Sequence, residues 1–217
     1  MSERPATVAA GAFLSWLHAM RAALRGTAGT EVPCGDCVGC CVSGYAVRLR
    51  PEDARARALI AAEHQRVRDD DPPGHAWMPA LANGLCPMQQ AGACSIYDQR
   101  PQTCRDYDCR IFAAAGVLAG GDDRSVINRR VTAWRFDLPT PEDAAAATAV
   151  RAAARFIREH ADAFPGGRAP TSPTGVAVLA VKTWSVFREP MPHGTDPRTV
   201  ARAIIDTSRR FDAGLDD

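Results

Sequence analysis

Residues 34–41 read Cys34-Gly35-Asp36-Cys37-Val38-Gly39-Cys40-Cys41, and the remaining four cysteines, Cys86, Cys94, Cys104 and Cys109, all follow before residue 110. A Cys-x2-Cys step lets two sulfurs converge on one ion from a tight knuckle, with glycine supplying backbone angles that a Cβ resists. A further Cys-x2 step adds a third convergent sulfur. The fold is therefore expected to form around a thiolate-bound metal. Outward from this run, composition divides the chain into a first helix to about Arg25, a cysteine-bearing centre from Pro33 to Arg110, and an Ala- and Arg-rich remainder without cysteine. The expected fold class is α+β and predominantly helical: an irregular cysteine-rich centre with short strands, packed on N- and C-terminal helices. The organisation expected is a single domain over 1–217, with a metal-binding core at 34–110 and a helical extension at 111–217.

A chain of 217 residues buries enough surface to fold without staples, so metal is not needed merely to offset smallness. Basic and acidic residues nearly cancel, 26 against 25, and no strong field favours nucleic acid or an anionic membrane. Lys182 is the sole lysine, an Arg bias that reads as coding composition rather than phosphate recognition. Ala6 to Leu17 is apolar and follows Arg4, which imitates a secretory signal. Glu3 sits in the would-be charged region, however, and Phe13, Leu17, Met20 and Leu24 recur at helical spacing, so an amphipathic docking helix is expected. No apolar run approaches the ~20 residues of a membrane span. A soluble, cytoplasmic protein is expected, with no nucleic-acid or membrane partner.

Tyr45 to Arg50 alternates apolar and polar and predicts a short strand. Pro51, Glu52 and Asp53 open a helix that is expected to run to about His64. Asp69 to Gly74 reads as a loop, and Asn83-Gly84 as a turn with short strands around it. Helices are expected over roughly Asp123 to Phe136, Pro141 to Ala163, Val176 to Arg188 and Pro197 to Phe211, with Val176 to Phe187 the most buried.

Four disulfides would account for an even count of eight, but that framework belongs to secreted, loop-rich chains, and Cys40 and Cys41 would have to avoid a strained ring with each other. Inert core thiols would be scattered, whereas these occupy one stretch. Metal binding remains. Zinc takes four tetrahedral ligands, so eight thiols fill two closed sites, and a cubane iron-sulfur cluster also takes four. Thiolates suit both metals. The Cys-x2-Cys-x2-Cys triple and Cys86-Pro87 match the ligand spacing of bacterial ferredoxins, which favours iron as a [4Fe-4S] cluster, with zinc as the alternative. All eight cysteines, Cys34, Cys37, Cys40, Cys41, Cys86, Cys94, Cys104 and Cys109, are candidate metal ligands.

A thiolate-rich site is negative and needs donors. Arg100, Arg105 and Arg110 interleave with Cys104 and Cys109, where they can support sulfur or pair with Asp98, Asp106 and Asp108, or stand as ordinary surface arginines. Tyr97 and Tyr107 can donate to a ligand or pack over the site. Arg100, Arg105 and Tyr97 are the candidates to support the cofactor. His18, His64, His75, His160 and His193 show no paired spacing and are expected to be non-ligands, with His75 the exception to watch because its loop leads toward Cys86.

Taken together, Cys34-x2-Cys37-x2-Cys40-Cys41, Leu85-Cys86-Pro87 and Cys94-Ser95-Ile96-Tyr97-x2-Arg100-Pro101-x2-Cys104-Arg105-x-Tyr107-x-Cys109 resemble the CxxCxxCC cysteine-cluster family, also called YkgJ-like, described as a zinc- or iron-chelating domain. The resemblance covers roughly residues 34 to 110, and Arg130 to Phe187 looks like the extension of a bacterial subgroup. It implies metal chelation by the matched cysteines, with the metal left open. Some relatives are flagellin lysine N-methylases, an activity not carried across here: Gly116 to Gly121, the glycine-rich candidate for a methyl-donor loop, lacks the strand-loop-helix context and acidic partner, and reads as a helix-ending loop.

Three functions follow as expectations. A binding module holds a metal ion or cluster, with the helical remainder as a docking body for a protein partner. An iron-sulfur enzyme, lysine methylase-like, acts on a protein substrate at a pocket containing Arg105 or Tyr107. A purely structural zinc site clamps an interaction protein, where such zinc contributes about 10 to 16 kcal/mol of apparent binding free energy in small domains.

Overall fold

The computed structural model describes residues 6–30, 32–35, 37–189, 192 and 194–215. Glu3, Arg4 and His193, each weighed above, lie outside the described residues. The chain is α+β and predominantly helical, with short strands in three two-stranded sheets among the described residues. It separates into two compact units, one of residues 1–28, 109–121 and 131–217, the other of residues 29–108 and 122–130.

In the first unit, β1 (Val8–Ala12) pairs in parallel with β6 (Trp134–Asp137), Val8 opposite Trp134. The helix expected from the N-terminal apolar stretch therefore begins only at Phe13. Gly11, at φ 86°, sits at a register shift in β1, a backbone state an α-helix does not contain. Helix α1 (Phe13–Leu24) buries Phe13, Leu17 and Met20 of the expected stripe together with Trp16, and Leu24 is half-buried. Phe13 and Trp16 also pack on Phe136 of β6, with ring centroids 5.0 and 4.8 Å away. The strand explains why the helical pattern expected through Phe136 fails in its last turn.

Helix α6 (Pro141–Glu159) opens on a capping box: Thr140 Oγ1 accepts from the Asp143 N–H at 3.1 Å and donates to Asp143 Oδ2 at 2.7 Å. Asp143 Oδ1 accepts the Leu14 N–H at 2.8 Å, so one carboxylate caps two helix starts. That bond, foremost, holds the Asp143 carboxyl below its ordinary range. The inner face of α6 is Ala146, Ala149, Val150, Ala153, Ala154 and Ile157, mostly alanines that let α7 (Pro173–Thr183) approach closely. No residue from Val176 to Trp184 is exposed. The amphipathic α8 (Pro197–Asp212) turns Val200, Ala201, Ile204 and Phe211 inward. Arg21, Arg25 and Lys182 lie over the Phe211 ring. Helix α4 (Arg110–Ala115) ends at Gly116 in the left-handed conformation, φ 68°, as the loop reading of Gly116 to Gly121 anticipates.

In the second unit, β2 (Val47–Leu49) runs antiparallel to β3 (Ala76–Met78). Their inward residues join Ala56, Ile60, Met88 and Ile96 in one core, against which Cys86, Cys94 and Cys104 pack. The helix after Pro51 is shorter than expected. A 3-10 turn over Pro51–Asp53 leads into α2 (Ala54–Leu59), where Gln65 Nε2 donates to the Arg57 and Ile60 carbonyls and ends the run. Asn83-Gly84 is a turn, with Gly84 at φ 80°, but the hairpin lies further on. Strands β4 (Gln89–Gln90) and β5 (Ala93–Cys94) are joined by Ala91 and Gly92, both at positive φ, the two-residue turn that matches strand twist. Two short helices given no range in the sequence reading also occur, α3 (Gln102–Asp106) here and α4 in the first unit. Helix α5 (Ser125–Ala133) begins in the second unit.

Candidate metal centre

The early cysteines are carried on two consecutive turns. The Cys37 N–H donates to the Cys34 carbonyl at 3.0 Å, with Gly35 at φ 56° making the bend, and the Gly39 N–H points at Cys37 Sγ at 3.4 Å. Cys40 and Cys41 then ride on a 3-10 turn, Gly39–Val42, closed by Ser43 Oγ donating to the Gly39 carbonyl at 2.6 Å. Gly39 is where close approach crowds a side chain. A Cβ there would stand 3.2 Å from Ile127 Cγ1 and 3.3 Å from its Cα. Arg130 Nη2 donates to the Cys34 carbonyl at 2.9 Å.

Residues 41–44 pair with the segment bearing the next cysteine: the Cys86 N–H donates to the Cys41 carbonyl at 2.7 Å and the Gly44 N–H to the Gly84 carbonyl at 2.9 Å. Cys86 opens a turn of the same kind as Cys34, with its carbonyl accepting from the Gln89 N–H at 2.9 Å. The Met88 and Gln89 amides aim at its sulfur and favour the thiolate. The hairpin places Cys94 opposite Gln89, and Ser95 fixes it by donating twice to the Met88 carbonyl. Cys104 projects from α3, which is anchored by the Gln102 N–H to Asp53 Oδ1 at 2.7 Å and by Thr103 Oγ1 to the Arg48 carbonyl at 2.7 Å.

These segments enclose a cavity of about 220 Å³ lined by Cys34, Cys37, Cys40, Cys41, Cys86, Cys94 and Cys104. Met78, Met88, Ile96 and Pro101 supply an apolar wall. No disulfide joins any cysteine. Among the described residues no three His, Cys, Asp or Glu side chains are already grouped to hold one ion. The sulfurs share a space without yet converging on a point.

Burial against this wall acts first on Cys34, Cys86 and Cys104. It pushes the Cys34 thiol up, reinforced by Cys40 and Cys37, and raises Cys86 as well. Cys104 is pushed up to about 12, by burial first and then by Cys40, Cys86 and Cys94. Cys40 rises chiefly through its hydrogen bond with the Cys41 thiol and then through burial. Thiols raised in this way keep their protons at neutral pH, so an incoming cation must displace protons to form thiolate bonds.

Cys109 is not among the lining residues. It belongs to the first unit, where Trp134 Nε1 donates to its sulfur at 3.2 Å. Arg100 and Tyr97 line the cavity, the guanidinium 4.1 Å above the ring and donating to the Tyr97 carbonyl at 2.9 Å. The Arg100 charge favours the thiolates of Cys34 and Cys104. Arg105 does not line the cavity. It staples the turn that bears Arg100, through Nε to the Arg100 carbonyl at 3.2 Å and Nη2 to the Asp98 carbonyl at 2.5 Å. Arg110 donates to the Ala10 carbonyl in the first unit, Asp106 pairs with Arg50 at 2.8 Å, and Asp108 is buried. The Tyr107 ring packs tilted against Tyr45, with centroids 5.5 Å apart. His75 is absent from the lining, and its Nδ1 lies 3.4 Å from the Pro73 carbonyl.

Sequence reading did not single out Met78, Met88 or Ile96 as the cavity wall, although each flanks a strand or a cysteine turn and carries a large apolar side chain. Arg130 gave no signal, being remote in sequence from Cys34.

The composition and placement of the lining invite comparison with known chelating segments. Residues 33–123 match the CxxCxxCC family model. That family is described as a "Putative zinc- or iron-chelating domain". The CxxCxxCC segment contains all seven lining cysteines and Cys109 and supports metal binding by this part of the chain. No curated protein and no solved structure matches the chain.

Proposed function

We propose that the second unit chelates iron or zinc through the thiolates of Cys34, Cys37, Cys40, Cys41, Cys86, Cys94 and Cys104. One observation carries this reading: seven thiols from separate stretches of chain line one small cavity, tied by the Cys86 N–H to Cys41 carbonyl bond. The donor set fits the group. Soft sulfur ligands suit zinc and iron-sulfur centres alike, turn amides face Cys37 and Cys86, and Arg100 offsets negative charge. A [4Fe-4S] cluster would take Cys34, Cys37 and Cys40 with Cys86 ahead of Pro87, and would supply electron transfer. Zinc would supply a redox-inert cross-link. The packing of Cys86, Cys94 and Cys104 against the core favours a second, structural consequence: either group fastens the unit's loops to its core.

Purification without oxygen, followed by iron, sulfide and zinc analysis, tests the reading. Brown protein with iron and sulfide identifies the cluster, and colourless protein with stoichiometric zinc identifies the ion. Cys37→Ser is expected to lose metal in both cases. Wild-type protein that takes up neither metal under reducing conditions would overturn chelation.

A further inference from the structure

Seven large apolar side chains stand exposed among the described residues, and two of them, Leu118 and Leu138, each 49% exposed, flank one cavity in the first unit. The cavity measures about 430 Å³, inside the roughly 300–1,000 Å³ span of small-molecule sites. It is built by α4 with the loop that follows, by β6 and by the middle of α6, elements that pack on one another. Its floor is core, with Phe112 and Trp134 buried. The Trp134 indole N–H is already given to Cys109 Sγ at 3.2 Å, so the ring offers the cavity hydrocarbon.

Charge in the lining has one sign. Arg135 and Arg151 are its ionisable residues, and no carboxylate lines it. Arg135 commits Nη1 to the Thr132 and Trp134 carbonyls, both at 2.8 Å. Arg151 is placed differently. Its stem lies beside the left-handed end of α4, where a Cβ on Gly116 would stand 3.8 Å from Arg151 Cγ. Among the described residues its guanidinium has no hydrogen bond or ion pair.

An apolar concavity with an uncommitted guanidinium on its lining suits a ligand that is hydrocarbon at one end and anionic at the other. A carboxylate matches the planar fork with two parallel N–H···O bonds. One uncommitted cation balances one negative charge, which favours a monocarboxylate over a phosphate ester. We propose that this cavity binds a medium-chain alkyl carboxylate, its head on Arg151 and its chain against Phe112, Trp134 and Leu138. None of the lining residues is a cysteine, so the site stands independently of the metal cavity.

Titrating the full chain with octanoate, followed by calorimetry and by backbone amide shifts, tests the site. Saturable one-to-one binding is expected, with shifts concentrated at residues 112–118 and 131–138. Each CH₂ added from hexanoate to decanoate is expected to tighten binding about two- to fourfold. Octanol, which has the chain without the charge, is expected to bind about tenfold more weakly. Arg151→Gln is expected to weaken octanoate by about tenfold and to leave octanol unchanged. Arg155→Gln, on the same helix but lining another groove, is expected to change neither. Absence of saturable octanoate binding, or shifts confined to other residues, would overturn the site. Octanol binding as tightly as octanoate, or full octanoate affinity in Arg151→Gln, would overturn the role of Arg151 and the choice of ligand with it. Affinity indifferent to chain length would show ion pairing at the surface and overturn the cavity. The octanol and chain-length comparisons are made on the wild type, so misfolding of a variant does not blur them.

Discussion

Cys104 shows what the second unit does to a sulfur before any metal arrives. Its thiol titrates near 12 in the fold, against an ordinary value of 9.0, because burial disfavours the charged form. The raised group is protonated in folded and unfolded chains below pH 9.0. Above that the unfolded chain releases the proton and the fold keeps it, so stability falls as pH rises from 9.0 toward 12. Denaturant midpoints of the reduced, metal-free protein are expected to be level below pH 9 and to drop above it. A midpoint that rises over that interval would contradict the burial. In the loaded protein the competition is the reverse at low pH, where protons displace metal from the thiolates.

At the scale of elements, the 3-10 turn Gly39–Val42 has little room for a side chain at Gly39. Gly39→Ala places a methyl against the Ile127 backbone, which cannot swing aside as a side-chain tip can. Overpacking of this kind costs about 1 to 3 kcal/mol and displaces Cys40 and Cys41 with the turn. The variant is expected to unfold at lower denaturant and to hold less metal, and wild-type metal content at wild-type stability would contradict the tight contact. The cysteine knuckles and α6 were legible in sequence because local chemistry sets them: Cys-x2-Cys with glycine, and Thr140-Pro141-Glu142-Asp143 ahead of an alanine face. Strands β1 and β6 were not, because each pairs with residues remote in the chain and Val8 to Ala12 reads locally as apolar helix. The hairpin turn at Ala91-Gly92 was missed for a related reason: Ala91 adopts a positive φ that its residue type does not advertise. Which thiols share a cavity was likewise illegible, since the gap from Cys41 to Cys86 leaves their meeting to tertiary pairing. Cys109 sits in the same spaced series as Cys104, yet α4 carries it into the first unit.

For the whole molecule, the two units rest on different foundations. The first has helix packing, α1, α4 and α7 against α6, with Ala153, Ile157, Ala177 and Val181 sealed from solvent. The second has a smaller core, with Cys86, Cys94 and Cys104 packed on it. Chelator treatment is therefore expected to speed amide hydrogen exchange in residues 37–104 while α6 and α7 keep their protection. Uniform acceleration through both units would show that metal does not act on the second unit specifically.

Seven of the eight cysteines are proposed to coordinate metal from one cavity. Alkylation mapping by mass spectrometry, on the loaded protein with and without chelator, reads this residue by residue. Chelator treatment is expected to raise labelling sharply at Cys34, Cys37, Cys40, Cys41, Cys86, Cys94 and Cys104 while leaving the rate at Cys109 unchanged. Labelling of the seven that ignores chelator, or protection of Cys109 that disappears with theirs, would contradict it.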